Sequence, residues 1–177
     1  MAEPATDILL SKQIIRRRIK ELAAVIAGEY RGKDLLVVGI LKGAFVFMSD
    51  LIREMKIPCT IDFVRIASYG AKKETSGKIM LTKDLETPVK GRDLLVVEDI
   101  VDTGLTLANL VEIIKQRQPA SLKVCVLLDK PKRRVVPFSA DYVGFSIPDE
   151  FVVGYGLDCD EKYRYFPDVR ILRESGA

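Results

Sequence analysis

The sequence contains no histidine among its 177 residues. Histidine is the side chain most often used as a general base near neutral pH, and it is also the commonest ligand of transition metals. Its absence excludes the usual histidine-based hydrolases and most zinc enzymes. Any acid–base chemistry in this protein must therefore use Asp, Glu, Lys or Tyr.

Cysteine is also scarce. Cys59, Cys125 and Cys159 are the only three, and they lie far apart in the chain. An odd number of widely spaced cysteines predicts neither a disulfide framework nor a zinc site. Reduced thiols of a cytosolic protein are the simplest interpretation.

The chain has no strong excess of charge and no long apolar run. Its 28 basic and 25 acidic residues give a net charge of +3, which is too balanced to predict nucleic-acid binding. No apolar run approaches the roughly 20 residues of a membrane span, and residues 1–7 lack the features of an export signal. We therefore expect a cytoplasmic protein that binds neither nucleic acid nor membrane. A length of 177 residues with 48% hydrophobic content predicts one globular domain.

The most informative stretch covers residues 94–106, which read Leu-Leu-Val-Val-Glu-Asp-Ile-Val-Asp-Thr-Gly-Leu-Thr. Its four leading apolar residues predict a strand that is buried on both faces of a sheet. Glu98, Asp99 and Asp102 then predict an acidic loop at the carboxyl end of that strand. A helix follows, because apolar residues recur at i, i+3, i+4 and i+7. These residues are Leu107, Leu110, Val111 and Ile114.

The residue types in this stretch indicate the ligand. A helix N-terminus offers free backbone N–H groups and a partial positive charge, both of which suit a phosphate. Gly104 allows close approach of the backbone, and Thr103 and Thr106 add neutral donors. Glu98 and Asp99 would repel a phosphate but suit ribose hydroxyls or Mg²⁺. The inferred ligand is a sugar phosphate that brings its metal ion with it.

This pattern resembles the phosphoribosyl-pyrophosphate (PRPP) binding motif of the type I phosphoribosyltransferases. A capping Asp or Thr without any ligand would explain one polar residue here, but not three carboxylates, two threonines and a glycine. The resemblance implies that the motif binds PRPP and that Asp102 is the general base. The residues that it assigns to PRPP within the motif are Glu98, Asp99, Asp102, Thr103, Gly104, Leu105 and Thr106.

Two further segments are assigned to PRPP by the same resemblance. Leu41, Lys42 and Gly43 follow a predicted buried strand and look like the family's pyrophosphate-binding loop, in which members carry a cis peptide. From local sequence alone, Lys42 could equally be a surface lysine whose apolar stem is partly buried. Arg164 falls where the family has an arginine facing pyrophosphate.

A long polar stretch over residues 67–78 predicts a loop. Loops of this length are uncommon in compact domains and often act as lids. Ser68 and Tyr69 match the Ser-Tyr pair of the family's mobile lid, although a flexible loop without a role remains an alternative.

The carboxyl third resembles the hypoxanthine-guanine phosphoribosyltransferases, most clearly over residues 143–158. The resemblance implies that Lys130 donates to the purine 6-oxo group and that Phe151 stacks on the base. The backbone of Val152 would meet the purine edge, and Asp158 would lie near the base and the metal ion. Asp102 would take the proton from purine N7. The implied Mg²⁺ ligands are Glu98, Asp99 and Asp158.

The predicted fold is a mostly parallel α/β sheet flanked by helices, as in the type I phosphoribosyltransferases. A small hood of short strands from the chain ends completes it. We expect a single domain over residues 1–177, with a core at about 30–145 and a hood built from the N-terminal segment and about 146–177. A first helix capped by Ser11 is predicted, with Ile15, Ile19, Leu22 and Ile26 on one face. A second helix is predicted with Phe45, Met48, Ile52 and Met55 facing inward. Predicted strands cover residues 35–40, 57–66, 94–97, 122–128, 142–145, 151–154 and 169–172.

The resemblance implies a purine-salvage enzyme. It would transfer the 5-phosphoribosyl group from PRPP to hypoxanthine or guanine with Mg²⁺, giving IMP or GMP and pyrophosphate, and it would form a homodimer or homotetramer. One alternative is transfer to another base, namely xanthine, adenine or a pyrimidine. Another is a PRPP-sensing regulator, which should lack the equivalents of Asp102, Lys130 or Phe151.

Overall fold

The computed structural model describes residues 6–68 and 79–173. The predicted lid residue Tyr69 lies outside these ranges, as does the rest of the loop up to residue 78, and of Ser68 only its place at the end of a strand is described. The helices are α1 (Lys12–Tyr30), α2 (Phe45–Met55) and α3 (Leu105–Lys115). The strands are β1 (Thr6–Leu10), β2 (Leu35–Leu41), β3 (Thr60–Ser68), β4 (Ile79–Lys83), β5 (Asp93–Val101), β6 (Ser121–Asp129), β7 (Tyr142–Ser146), β8 (Val152–Val153) and β9 (Val169–Leu172).

A six-stranded sheet in the order β4-β3-β2-β5-β6-β7 forms the centre of the molecule. All neighbours in it are parallel except β3 and β4, which pair antiparallel at one edge. The predicted mostly parallel α/β sheet is therefore confirmed. Because the five parallel strands run in one direction, their carboxyl ends meet at a single edge, where open α/β sheets bind ligands.

Residues of the central strands alternate between two apolar layers, as the period of two in a strand requires. Leu35 and Val37 pack with α1 and α2 on one face, whereas Leu36 and Val38 pack with α3 on the other. Ile15, Ile19, Leu22 and Ile26 of α1 are buried as predicted.

The inward face of α2 differs from the prediction. Met48 and Met55 are buried as predicted and Ile52 is partly buried, but Phe45 is 46% exposed, and Phe47 and Leu51 are buried as well. Phe45 is the first residue of the helix and lines a groove together with residues of α1. Close packing occurs instead at Gly39, where an added Cβ would lie 2.5 Å from Met48 Sδ.

β5 is longer than predicted. It continues through Val101 because β6 pairs with it as far as Asp129, so Glu98 and Asp99 belong to the strand and only Asp102 lies in the following loop. The prediction of an acidic loop beginning at Glu98 was therefore wrong.

The hood is a separate antiparallel sheet in the order β1-β9-β8. It packs against the central unit through Val152, Val169 and other apolar residues. In addition, Lys12 N donates to Asp168 Oδ1 at 2.8 Å, and Gly156 packs on the loop after β2. An added Cβ at Gly156 would lie 2.3 Å from Gly43 O. Within residues 6–68 and 79–173, no helix has both the length and the apolar composition needed to cross a membrane.

Candidate active site

The loop after β2 lies directly against the end of β5. The Leu41–Lys42 peptide bond is cis, as the resemblance implied. An added Cβ at Gly43 would lie only 1.6 Å from Asp99 Oδ2. Glycine is required here because no side chain fits between this backbone and the carboxylate.

Glu98 and Asp99 line the same small cavity of about 210 Å³, whose other lining residues come from β2 and the loop after it, from β3 and β4, and from Thr106. Although they are neighbours in a strand, the two residues are also linked by a hydrogen bond, because Asp99 N donates to Glu98 Oε1 at 3.1 Å. Burial raises the pKa of Glu98 well above its ordinary value, and the negative charge of Asp99 raises it further. Burial likewise raises the pKa of Asp99, which the charge of Arg164 partly offsets. A buried carboxyl group and a partly buried one that line the same cavity are groups that a divalent ion would stabilise.

Asp158 is not part of this carboxyl pair. Its Oδ1 lies 2.8 Å from Arg164 Nη2, and its Oδ2 accepts a hydrogen bond from Glu161 N at 2.8 Å. In the part of the chain that the structure describes, no three acidic or cysteine side chains come together as a metal site. The protein thus offers a divalent cation two neighbouring carboxylates, and the remaining ligands would have to come from a substrate or water.

Residues 102–104 form the loop between β5 and α3. Gly104 has φ +84, a left-handed conformation in which L side chains are strained. Thr103 Oγ1 accepts a hydrogen bond from Leu105 N at 3.4 Å. The 11-residue α3 begins at Leu105, so its first N–H groups point toward the carboxyl edge of the sheet and can bind an anion.

Asp102 contacts two arginines from the segment after β6. Arg133 Nε lies 2.6 Å from Asp102 Oδ1, and the Asp102 side chain is 41% exposed. Arg134 donates from Nη1 to the backbone oxygen of Asp102 and from Nη2 to Asp129 Oδ1. Sequence reasoning did not assign either arginine to the site. The only sequence signal for them was their position shortly after β6, the strand that neighbours β5.

Lys130 is buried, with 8% of the residue exposed, rather than being the surface lysine that its local sequence favours. Its backbone N–H donates to Val101 O at 3.0 Å, which holds it beside the Asp102 loop. Its Nζ lies 4.0 Å from Asp149 Oδ1. Phe151 has 56% of its surface exposed, whereas Val152 is buried in β8. The buried ammonium group of Lys130 thus lies near Asp149 of the loop between β7 and β8, and the same loop carries the exposed ring of Phe151.

Glu161 connects the residues assigned to pyrophosphate. Its Oε1 accepts from Lys42 Nζ at 2.8 Å, and its Oε2 lies 3.2 Å from Arg164 Nη2. Arg164 Nη1 also donates to Gly156 O at 2.7 Å. Lys42 and Arg164, which are 122 positions apart, therefore converge on one carboxylate that the sequence did not single out.

The model of the phosphoribosyl transferase domain family matches residues 5–160. This chain belongs to the phosphoribosyltransferase family. It is 46% identical over 173 residues to the hypoxanthine-guanine phosphoribosyltransferase of Bacillus subtilis, covering 98% of this chain and 96% of that protein. It is 45% identical over 165 residues to the hypoxanthine phosphoribosyltransferase of Salmonella typhimurium, covering 92% and 93%.

A solved phosphoribosyltransferase has the same fold. The crystal structure of a hypoxanthine-guanine phosphoribosyltransferase from Bacillus anthracis, with a HEPES molecule in its active site, superposes with a TM-score of 0.92. The two sequences are 47% identical, and the match covers 97% of this chain and 100% of that one. The type I phosphoribosyltransferase fold predicted from the sequence is therefore confirmed, and the protein is a transferase.

Proposed function

We propose that this phosphoribosyltransferase acts in cytoplasmic purine salvage. It transfers the 5-phosphoribosyl group of PRPP to hypoxanthine or guanine, giving IMP or GMP and pyrophosphate. The observation that carries the proposal is the position of buried Lys130 beside the Asp102 loop. A 6-oxopurine presents an acceptor at O6 and a proton at the adjacent N7, so it suits a donor and a proton acceptor held side by side.

In the proposed reaction, N9 of the purine forms a bond to C1′ of the ribose while the bond from C1′ to the pyrophosphate oxygen breaks. The electron pair of the broken bond leaves with pyrophosphate. Asp102 accepts the N7 proton as the general base. The transition state resembles an oxocarbenium ion, as in glycoside hydrolysis. Lys42 and Arg164 supply positive charge toward the leaving pyrophosphate.

The substrate groups are distributed over the carboxyl edge of the sheet. The loop N–H groups of residues 103–106 bind the 5-phosphate, and Glu98 and Asp99 bind the ribose hydroxyls together with Mg²⁺. When bound, Mg²⁺ supplies positive charge that stabilises the leaving pyrophosphate. Phe151 stacks on the purine, the backbone of Val152 meets its edge, and Asp158 lies near the base rather than in the carboxyl pair.

A direct assay tests this function. The purified protein is incubated with PRPP, Mg²⁺ and one free base at a time, and the nucleotide formed is measured. Hypoxanthine and guanine should be converted, and adenine and uracil should not. Turnover of adenine or uracil alone would replace the proposal by transfer to another base, and PRPP binding without turnover of any base would favour a regulator. Xanthine is included because its use is open.

Activity should require Mg²⁺ or Mn²⁺. Glu98→Gln and Asp99→Asn should each raise the KM for PRPP by about 10- to 100-fold, because loss of a charge-assisted contact costs about 1.5–3 kcal/mol. The two effects should differ, since only Asp99 also contacts Gly43. Glu112→Gln, which removes an exposed pair with Lys115 on α3, is the matched control. Full activity in excess EDTA would refute the metal assignment.

Gly43→Ala should raise the KM for PRPP by about tenfold or more. The added Cβ would lie 1.6 Å from Asp99 Oδ2, and such overpacking costs about 1–3 kcal/mol, where 1.4 kcal/mol is tenfold. Gly28→Ala is the control, because nothing lies within 4 Å of an added Cβ at this position of α1. It should leave the KM unchanged and slightly raise the melting temperature. Equal KM values for the two variants would show that the loop tolerates a side chain.

We also propose that residues 1–177 act as one phosphoribosyltransferase domain that forms a homodimer or homotetramer. Exposed Phe45 and Tyr165 border a groove of about 820 Å³ between α1, α2 and the hood, which supports an association surface there. Light scattering after size-exclusion chromatography measures the subunit number, and a monomeric mass would contradict the proposal. The role of Ser68 and Tyr69 as a lid stays a prediction.

A further inference from the structure

Segment 130–135 runs alongside the end of β5 and the loop that follows it. Its backbone N–H groups donate from Lys130 to Val101 O and from Val135 to Thr103 O, both at 3.0 Å. Between these two bonds, a short 3₁₀ turn (Pro131–Arg133) directs its last side chain toward Asp102. Asp102 is thus held from one neighbouring segment by backbone bonds on both sides of it.

The two oxygens of the Asp102 carboxylate differ in their surroundings. Oδ1 is buried and lies 2.6 Å from Arg133 Nε as an ion pair, and among the described residues no group forms a hydrogen bond to it. The side chain as a whole is nevertheless 41% exposed, so its accessible oxygen is Oδ2. A carboxylate that is held through one oxygen presents the other in a fixed direction.

Arg133 is itself held from the other side. Its Nη1 lies 3.5 Å from Asp149 Oδ1, the same oxygen that lies 4.0 Å from Lys130 Nζ. The charges of Asp102 and Asp149 raise the pKa of Arg133, which therefore stays protonated. The four side chains therefore lie in a row of alternating charge, in the order Asp102, Arg133, Asp149 and Lys130.

We propose that Arg133 is a positioning residue for the proton acceptor of the reaction. It binds Asp102 Oδ1 so that Oδ2 is directed at purine N7, and Asp149 holds the guanidinium in place for this. When an oxopurine binds, its O6 takes the place of Asp149 beside Lys130, while the pair between Arg133 and Asp149 remains. The inference rests on the proposed function, since it requires Asp102 to accept the N7 proton.

The chemistry of the guanidinium suits this role. It is planar and rigid, and it donates from several N–H groups at once, so it can hold two carboxylates at a fixed angle. A lysine ammonium carries the same charge but no fixed geometry. Substitution by lysine should therefore keep the charge and lose part of the orientation, whereas glutamine loses both the charge and the fork geometry.

Steady-state kinetics of Arg133→Gln, Arg133→Lys and Asp149→Asn test the proposal, with hypoxanthine and PRPP as substrates. Arg133→Gln should lower kcat by about tenfold or more, which corresponds to a modest loss of alignment in the transition state. Arg133→Lys should recover part of this loss, and Asp149→Asn should lower kcat less than Arg133→Gln does. The KM for PRPP and the melting temperature should stay near those of the wild type. Arg117→Gln, which removes an exposed pair with Asp84, is the control.

A double-mutant cycle separates positioning from a general structural effect. If Arg133 acts through Asp102, adding Arg133→Gln to Asp102→Asn should cause no further loss of kcat. Independent, multiplying losses would overturn the proposal, as would a kcat of Arg133→Gln equal to that of the wild type. A fall in melting temperature with parallel changes in both KM values would make Arg133 merely structural.

The same data distinguish failure of this inference from failure of the proposed function. A wild-type protein that forms no IMP would refute the function. Asp102→Asn with wild-type kcat would refute the assignment of the general base. If the wild type is active and Asp102→Asn is impaired, a silent Arg133→Gln refutes only the positioning role.

Discussion

Asp102→Asn should lower kcat by about 10²- to 10⁴-fold, which is the usual contribution of a positioned general base. Asparagine has nearly the same shape as aspartate, but it cannot take a proton from purine N7. The dissociation constant for PRPP should change little, because the loop N–H groups of residues 103–106 bind the phosphate. Single-turnover kinetics and calorimetric titration with PRPP measure the two quantities separately.

Two results would contradict this prediction for Asp102. A variant with near wild-type kcat would exclude Asp102 as the base, and the exposed Glu161 would then be the next carboxylate to test. A loss of PRPP affinity equal to the loss of kcat would indicate that the substitution disrupts the phosphate loop. Asp84→Asn, which removes a surface carboxylate paired with Arg117, serves as the control.

Wild-type protein should convert hypoxanthine and guanine at least about 10⁴-fold more efficiently than adenine, as measured by kcat/KM. An ammonium group aimed at position 6 gains a charge-assisted hydrogen bond with an oxo group. Adenine presents an amino donor there instead, so binding it would leave Lys130 without a partner in a site where only 8% of the residue is exposed. A buried charge without a partner is strongly unfavourable.

Lys130→Gln tests the residue behind this selectivity. An amide can either donate or accept, so the variant should have a lower kcat/KM for both oxopurines and a smaller preference over adenine. Lys132→Gln, two positions away and exposed, should behave as the wild type. Wild-type turnover of adenine as efficient as that of guanine would refute the assignment of Lys130.

The sheet, its central strands and the faces of α1 and α3 could be predicted from the sequence because periodicity is a local property. The length of β5 could not, since Glu98 and Asp99 remain in the strand only through pairing with β6. Phe45 fits the periodic pattern of α2, but its exposure depends on where the helix passes over the sheet.

The same limit applies to the site. The chemistry of residues 94–106 indicates a sugar phosphate from sequence alone, because each residue type has a specific use there. Arg133, Asp149 and Glu161 were missed, since each acquires its place through an ion pair with a residue distant in the chain. The spacing of residues along the chain does not predict ion pairs of this kind. That Glu98 and Asp99 share one cavity agrees with their common assignment to PRPP and Mg²⁺, although strand alternation alone would separate neighbouring side chains.

The strand order has a consequence for how such a protein can change its choice of base. In the proposed reaction, pyrophosphate is bound after β2, ribose and its phosphate after β5, and the purine after β6, and these three strands are neighbours in that order. The substrates therefore lie across the strands. Successive chemical groups are bound at the ends of successive strands, which are about 5 Å apart. Substitutions of the base-contacting residues Lys130 and Phe151 can alter the preferred base while leaving the sugar-phosphate contacts intact. Base selectivity and PRPP binding are thus separable, and a redesigned acceptor pocket could be built on an unchanged PRPP site.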